Sequence, residues 1–142
     1  MIKTYPLNGA DHDLIAAASA KITELYEENK HHVGAALRTK SGKIVDAVHI
    51  EAYIGRVTVC AEAIAIGKAI SEGEKEFDTI VAVKHPYSDE ENRALKVVSP
   101  CGMCRELISD YAKDCFVILN VDGETIKTEI SELLPLKYTR NS

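Results

Sequence analysis

Three features of this chain predict an α/β fold, a three-layer α/β/α sandwich built around a central sheet. Thr79-Ile80-Val81-Ala82-Val83 is a run of mostly β-branched residues, the mark of a strand covered on both faces. Thr58 to Ser71 is rich in Ala and Ile on most sides, as a buried helix is. Helical and strand patterns follow one another in the order αββαβαββα, which a sheet with helices on both faces accommodates. The order holds five strands.

The elements follow in sequence. Leu14, Ala18, Ile22, Leu25 and Tyr26 recur at three- and four-residue spacing with charge between them, so Asp11 to Asn29 reads as a helix. Asn8 or Asp11 is its candidate cap. Val33 to Arg38 and Ile44 to Val48 read as a hairpin, with Ser41-Gly42 in the turn. The helix over Thr58 to Ser71 stops near Gly73. After the central strand, His85 to Glu91 is a polar loop with Pro86 and a charge cluster. A third helix covers about Cys101 to Tyr111. Cys115 to Val121 and Thr125 to Thr128 are strands joined at Asp122-Gly123. A short helix, roughly Ile130 to Leu134, ends at Pro135.

The 142 residues are the size of one ordinary domain, and 46% of them are hydrophobic, enough for a packed core. No repeat, linker or low-complexity segment divides them, so residues 1–142 are expected to form a single domain. Net charge is −5 with no long run of one sign. A nucleic-acid partner needs a basic surface, so none is expected. No segment has the length of a membrane span, and the first residues do not resemble a signal peptide. A cytoplasmic location is therefore expected, where thiols stay reduced. That turns attention from disulfides to metal binding or catalysis for the four cysteines.

Cys60-Ala61-Glu62 and Pro100-Cys101-Gly102-Met103-Cys104 each stand near a predicted helix start. Cys101 and Cys104 place two sulfurs on one side of an ion, and the second helix can bring Cys60. Three thiolates leave a fourth position of tetrahedral zinc for water. The positive ends of two helices favour thiolate over thiol there. Arg105 is a candidate donor to the sulfurs. Glu62, beside the water and partly dry, suits a proton shuttle with a raised pKa. A Cys-x-x-Cys pair alone also fits a redox pair or half of a structural zinc site. A structural site wants a fourth ligand; Cys115 is available but opens an apolar strand and reads as core.

The two motifs resemble the zinc-dependent nucleobase and nucleoside deaminases, which carry His or Cys, x, Glu and then Pro-Cys-x-x-Cys. The all-cysteine form and the chain length are similar to the small cytidine deaminase branch. Val33-Gly34-Ala35-Ala36-Leu37 and Glu132-Leu133-Leu134-Pro135 are similar to its first strand and C-terminal motif. The resemblance implies that the five-stranded sheet is mixed, and that one Zn2+ per subunit is held by Cys60, Cys101 and Cys104. It implies hydrolysis of a cytosine amine to a carbonyl, with water added at C4 and Glu62 carrying the proton to N3 and then to the leaving amine. The main chain at Ala61 would meet the base edge. Tyr138 matches a C-terminal aromatic that covers the base.

Three departures stand out. His49-Ile50-Glu51 replaces the family's Asn-x-Glu, so Glu51 is kept while His49 puts ordinary ribose recognition in question. His31 stands where an aromatic packs near the base. Ala63 stands where Arg often follows the catalytic Glu, leaving Arg105 and the helix dipoles to balance the thiolates. His31-His32-Val33-Gly34-Ala35-Ala36, His49 to Arg56 and Pro135 to Arg140 are similar to the branch of the family acting on the antibiotic blasticidin S. That makes the antibiotic the leading expected substrate, with cytidine and deoxycytidine second. Its sugar carries a carboxylate, for which Arg56 and Arg93 are candidates. The resemblance also implies a homotetramer with active sites completed by neighbouring subunits.

Overall fold

The computed structural model describes residues 2–141. The first helix, α1, runs from Gly9 to Leu25. It starts earlier than its apolar spacing suggests because Asn8 is the cap: Asn8 Oδ1 accepts from the Asp11 amide at 2.9 Å, and Asp11 Oδ2 accepts from the Asn8 amide at 3.0 Å. This reciprocal pair satisfies two otherwise orphaned donors. The helix also ends earlier than Asn29. Tyr26 turns into an extended conformation, and its ring stacks on His85 at 3.8 Å. A tertiary contact overrides local helical preference here.

Strands β1 (Val33–Thr39) and β2 (Ile44–Val48) form the expected hairpin, followed by a 3-10 turn at Gly55–Val57. Helix α2 covers Ala61–Ser71. It ends where Gly73 takes φ +92°, while the Gly73 and Glu74 amides donate back to the Ile70 and Ala69 carbonyls at 3.0 Å each. Strand β3 is Phe77–Lys84, and β4 is a short strand at Lys96–Val98. Helix α3 (Gly102–Tyr111), β5 (Phe116–Val121), β6 (Glu124–Glu129) and a 3-10 turn at Ile130–Leu133 complete the order.

The sheet runs β2-β1-β3-β5-β6 and is mixed: β3 and β5 are parallel and the other neighbours antiparallel. Beyond the five expected strands, β4 makes a sixth. β5 pairs with β3 only at Thr79 and Ile80, and β4 pairs with the far end of β3, Ala82 opposite Val98. With β1 along the whole other edge of β3, β4 continues the line that β5 leaves and runs straight into Pro100-Cys101.

The layers follow from alternation along the strands. Ala36, Val81, Val83 and Ile118 face α1, meeting Leu14 and Ala18. Ala35, Leu37, Ile80 and Val117 face α2 and α3, meeting Ala65, Ile66, Ala69 and Ile108. α1 lies so close to β1 that a Cβ on Gly34 would stand 2.5 Å from the Ala18 carbonyl oxygen. No helix among the described residues is long and apolar enough to cross a membrane.

Candidate active site

Two helix starts converge on one point. Cys60 is the residue that caps α2, and Cys101 caps α3, with Cys104 in the first turn of α3. The three sulfurs lie within 4.8 Å of one another, and Cys60 Sγ is 3.7 Å from Cys101 Sγ. Two Zn–S bonds of ~2.3 Å at a tetrahedral angle set sulfurs about 3.8 Å apart, so the donor set fits zinc. Cys115 is fully buried in the core, where burial pushes its thiol up to about 12. It stands outside the sulfur cluster, just before β5, as expected of a core residue.

The helix starts bias the thiols differently. Burial works against ionising Cys101, but the amides of Cys104 and Met103 and the neighbouring thiols outweigh it and lower its pKa. Burial raises Cys60 and Cys104. Glu62, in the first turn of α2, is 6% exposed, and that burial raises its carboxyl above the usual range.

A cavity of about 160 Å³ opens beside these groups. It is lined by Cys60, Ala61, Glu62 and Cys101, together with Val33, His49, Val98 and Ser99. It is smaller than the ~300 Å³ of a drug-sized pocket and suits one flat ring. A larger groove of about 530 Å³ shares only Cys60 with it, reaching Cys104 but not Glu62; Val57, Val59, Met103 and Leu107 add apolar lining. The smaller cavity, with the carboxylate in its wall, is where chemistry can occur.

The structure brings together Cys60, Cys101, Cys104, Ala61, Glu62 and His49. Glu51 stands next to them, its Oε1 3.6 Å from His49 Nε2. His31 braces the same segment: its Nδ1 lies 2.8 Å from the His49 carbonyl oxygen. Other candidates lie elsewhere. Arg105 donates to the Pro100 carbonyl at 3.0 Å and the Leu133 carbonyl at 3.3 Å, so it clips the chain just before Cys101 rather than reaching a sulfur. Arg56 lines the larger groove. Arg93 is exposed and donates to the Tyr87 carbonyl at 2.6 Å. Tyr138 is 76% exposed and lines a separate cavity with Glu106, Asp110 and Tyr111, so within its own chain it does not cover the base site. Lys137 anchors that tail on α3 through Glu106 and Asp110 at 2.7 and 2.9 Å.

Sequence reasoning missed Val98 and Ser99, which reach the cavity at and just after the end of the unforeseen β4. It also passed over His32, 2% exposed, whose Nε2 accepts from the Asn29 amide at 2.9 Å and whose Nδ1 is buried without a hydrogen-bond partner.

A three-thiol centre at two helix starts, with a carboxylate in the wall and a mixed sheet beneath, defines a zinc-binding class of protein in which Cys60, Cys101 and Cys104 would hold the ion. Residues 9–119 match the family model described as the cytidine and deoxycytidylate deaminase zinc-binding region. Blasticidin-S deaminase of Bacillus cereus is 69% identical over 140 residues, 99% of this chain and 100% of that protein. A cytidine deaminase of Sporosarcina psychrophila is 32% identical, covering 79% of this chain and 78% of its own. The crystal structure of cytidine deaminase from Burkholderia pseudomallei superposes with a TM-score of 0.73 at 28% identity, covering 93% of this chain and 100% of that one. The chain belongs to the cytidine and deoxycytidylate deaminase family.

Proposed function

We propose that the protein is a zinc-dependent aminohydrolase that deaminates the cytosine ring of blasticidin S. The observation that carries this reading is Glu62, buried beside three converging thiols in a ring-sized cavity. Support for the antibiotic over other nucleosides comes from the 69% identity across the whole length of a blasticidin-S deaminase.

Zinc, when bound, supplies a Lewis acid that makes water nucleophilic near neutral pH. The chain's own residues do the rest. Glu62 takes a proton from the attacking water and hands it to N3 of the ring as the oxygen adds at C4. The same carboxylate then takes the remaining proton from the new C4 hydroxyl and delivers it to the departing amine. Ammonia leaves, and the water oxygen ends as the C4 carbonyl. A raised Glu62 pKa suits both directions of transfer. Val33 and Val98 provide apolar walls for the base, and the Ala61 main chain lies at its edge. His49 and Glu51 are the sugar-side groups, braced by His31.

The assembly follows the same reading: the chain acts as one domain and as a homotetramer in the cytoplasm, working in antibiotic resistance. Exposed Val57, Val59 and Met103 on the larger groove suit burial against another copy. Tyr138, Arg56 and Arg93 would then serve the substrate from subunit borders. Cytidine and deoxycytidine, turned over in pyrimidine salvage, are the second reading, favoured by the 32% identity to a cytidine deaminase.

The test is steady-state deamination of blasticidin S and of cytidine, side by side, on protein of measured zinc content. A strong preference for blasticidin S is expected. Preference for cytidine moves the role to salvage, and turnover of neither by zinc-loaded protein overturns the proposal.

A further inference from the structure

His49 is held more tightly than a surface histidine. Its side chain is 12% exposed, and its Nδ1 accepts the main-chain N–H of His32 at 2.9 Å. Its own amide donates to the Val33 carbonyl at 2.8 Å, and His31 holds its carbonyl. A ring nitrogen that accepts carries a lone pair, so the proton of the neutral ring sits on Nε2. Burial lowers the His49 pKa; the Glu51 carboxylate opposes this in part, while His32 and His31 add to the lowering. A ring whose Nδ1 accepts an N–H is a neutral one, and burial favours the same state. Its Nε2 lies 3.6 Å from Glu51 Oε1, too far for an N–H···O hydrogen bond. The proton is left for a ligand atom.

The amide that sets this state is itself fixed. The His32 imidazole accepts from Asn29, which sits at φ +65°. It packs 4.3 Å from the Tyr87 ring and 6.0 Å from the His49 ring. The main-chain N–H of His32 therefore has little freedom to swing away.

We propose that the His32 amide locks His49 as an Nε2–H donor, and that this one-way donor, with Glu51 as the acceptor beside it, selects the sugar carried into the cavity with the base. The class of ligand it takes is a base-bearing sugar that turns an oxygen acceptor, such as a carboxylate, ether or carbonyl, toward His49 and a hydroxyl or N–H toward Glu51. An amide side chain would offer both a donor and an acceptor; the locked imidazole refuses a substrate hydroxyl that needs to donate. Withholding a required partner from a buried polar group discriminates more strongly than a change of shape. The inference rests on the cavity taking a cytosine nucleoside or analogue and deepens that reading.

Two substitutions separate the ring nitrogens. His49→Gln restores a donor near the place of Nε2; His49→Asn keeps an acceptor near Nδ1 and withdraws the far donor. With zinc content matched, His49→Asn should raise KM for blasticidin S by about tenfold or more, with kcat much less affected, as for lost uniform binding. The ratio of kcat/KM values should move toward cytidine by a similar factor in His49→Asn, and by clearly less in His49→Gln, whose amide returns the far donor but adds an acceptor beside it. A ratio unchanged in His49→Asn, or moved equally by both substitutions, overturns the inference. A wild-type preference for cytidine would defeat the substrate assignment, while the shift in ratio would still decide the role of His49. Should a variant not fold, nitrogen-15 spectra of the wild-type imidazole decide instead: a protonated Nε2 and bare Nδ1 are expected at pH 7, and a protonated Nδ1 overturns the lock.

Discussion

Glu62 concentrates the chemistry into a few atoms. Replacing it with Gln keeps its shape and removes its proton capacity, so kcat should fall by about 10²–10⁴ or more while metal analysis still finds one zinc per chain. A variant that lost zinc in step with activity would make Glu62 a structural group instead. The site's centre was legible because its chemistry dictates short fixed spacings: Cys60 two residues before Glu62, and Cys101 three before Cys104, each at a helix start. Arg105 was misread for the same reason in reverse. Adjacency to Cys104 suggested a sulfur partner, but the side chain reaches back to Pro100 and across to Leu133, a partner 28 residues away. No local pattern encodes that. His32 gave no signal either, since its function lies in a main-chain amide and in the burial of its ring.

Among the elements, the long ones were read in kind, although α1 was carried past its end at Leu25; the short turn at Ile130–Leu133 was read, and β4 was not. α2 and β3 announce themselves by being apolar on most sides and rich in β-branched residues, respectively. β4 has three residues, Lys96-Val97-Val98, too few to display a period of two. It exists because β5 pairs with only part of β3 and leaves an edge to be filled. The contact of α1 on β1 makes its own prediction. In Gly34→Ala the new methyl would meet the Ala18 carbonyl at 2.5 Å and Ile22 Cβ at 2.9 Å, so helix and strand must part. The expected cost is about 1–3 kcal/mol, read as a lower urea midpoint with an unchanged slope. An unaltered midpoint would mean that α1 shifts freely on the sheet. Zinc content should hold, because α1 lies on the opposite face from α2 and α3.

At the scale of the whole molecule, the proposed tetramer predicts a single species near four times 15.6 kDa by sedimentation at micromolar concentration. A monomer there would leave Val57, Val59 and Met103 bare in solution. The family resemblance pointed to subunit contact, but which residues stay exposed depends on how α2 and α3 lie side by side. That arrangement has a further consequence. Cys60 and Cys101 are 41 residues apart, and the chain between them holds α2, β3 and β4. An ion bridging them is a removable cross-link across that span. By the loop-closure argument used for disulfides, a bridge of this span is worth about 4 kcal/mol. Chelation should therefore lower the melting temperature by several degrees, reversibly on zinc return, and an unmoved melting temperature would refute the cross-link. Zinc supply would then govern how long the fold lasts as well as how fast it works.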